Sequence, residues 1–448
     1  MAGNTTTNGS HDHRPRREVA IMGAGYVGLP LAHVFASAGV GTVLVDVDAD
    51  KVASINQGVS YIPDVPTDDL ARLVKRGTLS ASTDVDAVRE CDAILIALPT
   101  PLTPNREPDL TIVLEACAKL APRLRAGHLV VLESTTYPGT TRDEILPLFV
   151  REGFEVGRDF FLAFSPERVD PGREDWTTQN TPKVVGGVTA ACTERACALY
   201  GRALETLVPV SSPEVAELTK LLENIFRSVN IALVNELAQM CDRMGLDVWE
   251  VVDAASTKPF GYMRFEPGPG LGGHCLPIDP FYLSWKARQF DFYTEFIELA
   301  GKINDNMPYY CVETIARALN SRERSLRGSR VALLGVAYKP DVGDVRESPA
   351  LRLIELMQRS GAEVSYVDEH VPELHELGLV AQSLDEALAE ADCICIVTAH
   401  RGVDYQDVVE RASLVVDLRN ATGPQRYPHV WTHTAPHAAA AELAGVSH

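Results

Sequence analysis

The sequence predicts an α/β protein: two doubly wound, parallel-sheet domains joined by a long central helix and a helical dimerisation segment. Three observations carry this reading. From Glu18 to about Ser211, short β-rich runs (VAIMG, TVLVD, AILIAL, LVVLES, FFLAFS) alternate with helical patterns, as strands linked by crossover helices do. A second alternation begins at Arg330 with VALLGVAY, EVSYVD, CICIVTA and LVVDLRN. Between them, residues 213 to 245 repeat Leu218, Leu222, Ile225, Val229 and Leu233 at helical spacing.

At 448 residues the chain is too long for one core. The expected order is a polar, disordered tail at 1–17, an α/β domain at 18–211, a helical segment at 212–325, a second α/β domain at 326–430 and a flexible tail at 431–448. From Pro213 to about Asn320 the pattern is almost wholly helical and apolar on several sides. Such helices need partners, and a second copy of the chain, giving a homodimer, is the natural one.

With 41 basic and 61 acidic residues the net charge is −20, which argues against nonspecific nucleic-acid or anionic-membrane binding. A few well-placed cations could still hold an anionic small molecule. Nine cysteines without a CxxC pair argue against both a disulfide framework and a zinc site. No apolar run approaches the ~18 residues of a membrane span and the start is polar, so a soluble cytoplasmic protein is expected. His429, His433 and His437 recur at a spacing of four, but Pro436 interrupts a helix there, and no metal is expected.

VAIMGAGYVGLPLAHVFASAG reads as a strand, a GxGxxG turn at Gly23, Gly25 and Gly28, and a helix. Glycines there allow a tight turn and let a pyrophosphate approach the helix N-terminus. Asp46 closes the next strand, where its carboxylate would accept from a ribose 2′-OH and repel a 2′-phosphate, favouring NAD over NADP. The second α/β region has only Gly335 in the equivalent turn, so it is expected to bind something else.

Polar clusters then stand where strand ends and helices could converge. Glu217, Lys220, Asn224 and Arg227 form one stripe of the central helix, either a solvated face with a Glu217–Lys220 pair or a functional row. ESTTYPGTT (133 to 141) and SPERVDPG (165 to 172) follow strands; Ser134 or Thr135 could cap a helix, and Ser165 could open a turn. In PGPGLGGHCLPIDPFYL (267 to 283), Asp279 before Pro280 reads as a helix N-cap. Cys275, in a glycine-rich loop just ahead of that helix, has surroundings that favour a thiolate. A dinucleotide site with a reactive thiol points to oxidation beyond the alcohol level, since a thiol can trap an aldehyde as a thiohemiacetal. A two-electron hydroxyacid dehydrogenase, which leaves the thiol idle, and a non-catalytic dinucleotide-responsive binding protein are the alternatives.

GAGYVGLPLA, the EST cluster, SPERVDPG, ELTKLLENIFRSVNIALVNE, GPGLGGHCLPIDPF, GVAYKPDVGDVRESPA and VVDLRN occur in the order found in the UDP-glucose/GDP-mannose dehydrogenase family, which the chain resembles over roughly residues 18 to 430. The resemblance implies two Rossmann-like domains, the first binding NAD and the second a UDP-sugar. It makes Cys275 the covalent nucleophile, with Lys220 and Asn224 stabilising an oxyanion at C6. Glu167 would move protons or activate water, and Thr135 and Asp279 would hold water or orient Lys220. It implies NAD contacts at Gly23, Gly25, Tyr26, Val27, Gly28, Asp46, Lys51, Thr100, Ser134 and Thr135. Substrate contacts are implied at Glu167, Arg168, Lys220, Asn224, Arg227 and Gly272, at Lys339 and Arg419 of the last domain, and at Arg264 across a dimer, with Arg346 equally an ion-pair partner.

The UDP-glucose branch usually reads like GGSCFPKD, whereas this chain has His274 and Ile278 in GGHCLPIDPFYL. That pattern resembles the branch acting on UDP-N-acetylhexosamines, UDP-N-acetylglucosamine in particular, with UDP-glucose as the alternative.

Overall fold

The computed structural model describes residues 16–103, 105–150, 153–169, 175–273 and 276–434. The chain divides into two units, Met1–Leu221 and Leu222–His448.

Eight strands form the sheet of the first unit: β1 (Val19–Met22), β2 (Thr42–Val45), β3 (Leu79–Ser82), β4 (Ala93–Ile96), β5 (Leu129–Leu132), β6 (Phe161–Phe164), β7 (Lys183–Gly187) and β8 (Leu207–Val210). Their order is β3-β2-β1-β4-β5-β6-β7-β8. Every residue of β1, β2, β4 and β5 is buried, as continuous aliphatic runs covered by helices on both faces should be. The helices are α1 (Gly28–Ser37), α2 (Ala49–Asn56), α3 (Thr67–Arg76), α4 (Thr111–Leu120), α5 (Leu146–Val150) and α6 (Ala190–Tyr200). Local chemistry sets their ends: Asp48 caps α2, Thr189 caps α6, and Gly77, left-handed at φ 74°, closes α3.

The sheet departs from an all-parallel plan at one joint, where β6 and β7 pair antiparallel. A parallel return needs a crossover, and among the described residues between these strands there is no helix to make one.

Helix α7 (Pro213–Met244) starts in the first unit and continues into the second. It is followed by α8 (Val248–Ser256), α9 (Asp279–Arg288) and α10 (Glu295–Asn320). The connector is therefore less helical than its pattern predicts: the described residues between α8 and α9 form no helix, in keeping with their prolines and glycines. Of the apolar series on α7, Ile225 is buried while Leu218, Leu222 and Leu233 are exposed in the single chain.

The sheet of the second unit comprises β9 (Arg330–Leu334), β10 (Glu363–Val367), β13 (Cys393–Ile396), β14 (Val415–Asp417) and β15 (Val430–Trp431), in the order β10-β9-β13-β14-β15 and wholly parallel. Strands β11 (Glu373–Leu374) and β12 (Leu379–Val380) form a small hairpin, and α11 (Pro349–Arg359), α12 (Leu384–Glu390) and α13 (Tyr405–Arg411) complete the unit. Ser383 and Glu386 form a full capping box on α12.

The flexible tail expected from residue 431 is corrected here. Trp431 pairs in β15, and Thr432, His433 and Thr434 are buried, so packing continues past that boundary. His429 and His433 flank a strand, and His437 lies outside the described residues.

Candidate active site

The turn after β1 has the geometry its glycines predict. Gly23 sits at φ +102° and a Cβ there would lie 2.3 Å from Ala97 O. A Cβ on Gly28 would lie 1.8 Å from Gly23 O. Gly25 has nothing within 4 Å of its Cβ position, the open approach a pyrophosphate needs. Helix α1 begins without a side-chain cap, and in its first turn Leu29 N already donates to Gly25 O at 3.1 Å. Asp46 Oδ2 accepts from Ala24 N at 2.7 Å and Oδ1 from Asp48 N at 2.9 Å. A carboxylate has about four acceptor positions, so two stay available for ribose hydroxyls. Tyr26 is exposed, Val27 is half-buried and Lys51 pairs with Asp48 at 3.5 Å. Tyr61 donates to Ala24 O at 2.6 Å and braces the turn, a part not foreseen from the sequence. These residues fit a bound dinucleotide.

Beyond β4 and β5, Ser134 is a bridge and not a helix cap: its hydroxyl donates to Ile96 O at 3.2 Å and accepts from Leu98 N at 2.9 Å. Thr100 Oγ1 donates to Thr135 O at 2.7 Å, tying the two strand ends together. Ser165 donates to Val184 O at 2.8 Å. Glu167 Oε1 accepts from the amides of Arg168 and Val169, each at 2.7 Å, and Arg168 reaches Pro182 O at 2.6 Å. Behind Glu167 lies a buried set that sequence reasoning missed. Glu133 accepts from Lys183 Nζ and from Tyr200 OH, and Lys183 Nζ is 4.0 Å from Glu167 Oε2.

The Glu217–Lys220 pair on a solvated face is corrected. Glu217 is fully buried and accepts from Gly139 N at 2.6 Å, Thr141 N at 2.9 Å and Thr141 Oγ1 at 2.7 Å. Burial pushes its carboxyl up to about 7 against these donors. Lys220, one turn on, is also buried.

In the second unit, Asn224 Nδ2 donates to Asp279 Oδ2, and both residues are buried. Asp279 is the first residue of α9, one position past the N-cap Ile278, and its carboxylate accepts from Asn224. Arg227 is exposed. Arg264 pairs within the chain, with Asp253 at 2.6 Å and Glu266 at 2.9 Å. Arg346 forms an ion pair with Asp344. Lys339 is half-buried after β9, and Arg419 donates to Val397 O at 2.9 Å.

The glycine-rich segment is held closely on both sides. A Cβ on Gly268 would lie 2.5 Å from Arg419 Nη1, and one on Gly272 would lie 2.8 Å from Tyr338 Cβ. Gly268 N donates to Asn235 at 2.9 Å, Asn235 to Asn304 at 3.0 Å, and Asn304 to Ser228 O at 3.1 Å. This buried amide chain fixes the loop's entry; its signal in the sequence was two asparagines inside long helices, positions that disfavour them. His274 and Cys275 lie outside the described residues.

The turn at Gly335 repeats that at Gly23. Its φ is +78° and a Cβ would lie 2.2 Å from Thr398 O. Asp368, at the end of β10, stands where Asp46 stands, but accepts from Val336 N, Ala337 N, His370 N and His400 Nε2 at 2.8 to 3.1 Å. Asp341, His370 and His400 bring ligand-type atoms within 4.8 Å of one another. His400 Nδ1 accepts from Asp341 N at 3.0 Å and Nε2 faces Asp368, so neither ring nitrogen is available to an ion.

Models of one family match the chain in order: its NAD-binding domain at residues 17–204, its central domain at 214–306 and its UDP-binding domain at 332–424. A UDP-N-acetyl-D-mannosamine dehydrogenase of Pyrococcus horikoshii is 34% identical over 408 residues, 90% of this chain and 95% of its own. A UDP-N-acetyl-D-glucosamine 6-dehydrogenase of Pseudomonas aeruginosa is 34% identical over 367 residues, 81% and 86% of the two chains. The solved UDP-D-ManNAc dehydrogenase of Pyrococcus horikoshii superposes with a TM-score of 0.85 at 32% identity, covering 93% of this chain and 98% of that one. With the dinucleotide turn built as described and the three domains matched in sequence, the chain belongs to the UDP-glucose/GDP-mannose dehydrogenase family and is an NAD-dependent nucleotide-sugar dehydrogenase.

Proposed function

We propose that this enzyme oxidises the C6 hydroxymethyl of a UDP-N-acetylhexosamine, UDP-N-acetylglucosamine foremost, to the carboxylate. The observation that carries the reading is the buried hydrogen bond from Asn224 to Asp279, which joins two of the residues assigned to catalysis. NAD, when bound, accepts the hydride of each oxidation. Lys220 and Asn224 stabilise the negative charge that develops on the C6 oxygen. The thiolate of Cys275 adds to the aldehyde to give a thiohemiacetal, whose loss of a second hydride and a proton leaves a thioester. Glu167, with Thr135 and Asp279 holding water, takes a proton from the water that cleaves the thioester, releasing the carboxylate and the thiol. Residues 18–211 serve in cofactor binding, 212–325 in dimerisation and 326–430, with Lys339 and Arg419, in holding the UDP-sugar.

A second substrate, UDP-N-acetylmannosamine, is favoured by the relative matching 90% of the chain and by the superposition at a TM-score of 0.85. A homodimer is favoured by the exposed apolar residues Leu222, Phe226, Leu233, Met240 and Met244 on α7. The deciding assay offers UDP-N-acetylglucosamine, UDP-N-acetylmannosamine, UDP-glucose and UDP-galactose and counts NADH. Two NADH per uronate from an N-acetylhexosamine is expected; one NADH with a stable aldehyde, or a preference for UDP-glucose, overturns the reading.

A further inference from the structure

The buried set behind Glu167 has no part in the chemistry above, yet its cost in burial asks for a reason. Glu133 and Tyr200 are 1% and 0% exposed, and Lys183 is 4% exposed. A charge taken this far from water is tolerated only when paired and hydrogen-bonded. Lys183 opens β7 and Glu133 follows β5, so the antiparallel joint between β6 and β7 brings the lysine alongside the loop that carries Glu167.

The two oxygens of Glu167 are held differently. Oε1 is fixed by the amides of Arg168 and Val169, while Oε2 lies 4.0 Å from the Lys183 ammonium. On its other side the ammonium donates to Glu133 Oε2, and Tyr200 OH donates to Glu133 Oε1. The loop is clamped further by Arg168 donating to Pro182 O and Ser165 donating to Val184 O, at 2.6 and 2.8 Å. The charged groups around Glu167 are thus Lys183, Glu133 and Arg168, with the phenol of Tyr200 behind them.

We propose that Lys183 is a positioning residue for Glu167, holding in place the oxygen that the two amides leave, and that Glu133 and Tyr200 fix Lys183 where it does so. Burial drives the Glu133 carboxyl up and Lys183 opposes it. The inference rests on the reading above that Glu167 serves the hydrolytic step.

The test compares Lys183→Met, Lys183→Arg and Glu167→Gln, with UDP-N-acetylglucosamine and UDP-N-acetylmannosamine offered in parallel. The readouts are kcat, KM, and the mass of the intact protein during turnover, which reports acyl-enzyme. Lys183→Met is expected to lower kcat about tenfold or more. Acyl-enzyme should accumulate, KM for both substrates should stay within about twofold, and Lys183→Arg should restore most of kcat. A Glu133→Gln/Lys183→Met pair, neutral and close in volume, covers the case in which the single variant does not fold. A wild-type kcat without acyl-enzyme in either lysine-less variant, beside a slow Glu167→Gln, overturns the role of Lys183 and leaves that of Glu167 standing. A slow Lys183→Met beside an unaltered Glu167→Gln overturns the part given to Glu167, and with it the claim that Lys183 acts through it.

Discussion

The side-chain amide of Asn224 donates to the carboxylate of Asp279 across 55 positions of sequence, and both residues are buried. Truncating Asn224 to Ala removes a donor from a buried carboxylate, which is expected to lower stability by about 1–3 kcal/mol. Turnover should fall further, by about 10²- to 10³-fold, because the same amide is proposed to face the developing oxyanion. A cycle with Asp279→Ala, read by urea unfolding and by kcat, should give effects well below additive. Additivity in both readouts would mean that the contact carries neither.

Asp46 is expected to answer a different substitution. Asn in its place has one acceptor oxygen where two amides, Ala24 N and Asp48 N, now donate to separate oxygens. Asp46→Asn should therefore lose about 1 kcal/mol of stability, raise KM for NAD and narrow the discrimination against NADP. Melting temperature and KM for both cofactors measure it.

Glu217 sets a pH dependence of stability. Burial lifts its carboxyl from the ordinary 4.5 to about 7, so the fold favours the neutral form. Its contribution is complete below pH 4.5 and is lost as pH rises through 7, by about 3 kcal/mol in all. Urea midpoints from pH 4 to 8 should fall more steeply for the wild type than for Glu217→Gln. The glutamine variant should start lower at pH 4, since it offers one carbonyl to donors now shared between two oxygens.

His433 works in the opposite direction. Its ring packs against those of Trp249 and Tyr310, with centroids at 6.2 and 6.3 Å, and among the described residues neither ring nitrogen makes a hydrogen bond of good geometry. Burial depresses its pKa from 6.5 to about 4, so its share of stability is present above 6.5 and lost as pH falls through 4. His433→Phe should raise the melting temperature, most of all near pH 4, by an amount equivalent to about 1–3 kcal/mol. A variant that melts lower at acid pH would contradict this.

What the sequence made legible follows its periodicities. The aliphatic runs of β1, β2, β4 and β5 announce buried parallel strands, and the glycine spacing with Asp46 announces the cofactor turn, because both are local patterns. The strand LSAS at β3 and the LVPV of β8, with its proline, carry too little apolar signal to stand out. The antiparallel pairing of β6 with β7 is a choice of direction that strand composition does not encode. Asp279 shows the same boundary within the site: the dipeptide Asp-Pro looks like a cap on local grounds, and only folding reveals Asn224 opposite it. Lys183 and Glu133 sit 50 positions apart, and their pairing is legible only once β5 and β7 share a sheet.

The repeated glycine turn has a wider consequence. Gly23 with Asp46 and Gly335 with Asp368 follow one chain path, yet Asp46 has two donors and Asp368 has four. Three of those four donors fall on one oxygen of Asp368 and one on the other, so its own protein takes up most of the acceptor capacity that Asp46 leaves open. A nucleotide scaffold can in this way be retired from one ligand without altering its path, by filling an acceptor from within. The half so closed is then available for a different occupant, and the chain can keep two like architectures without their competing for one cofactor.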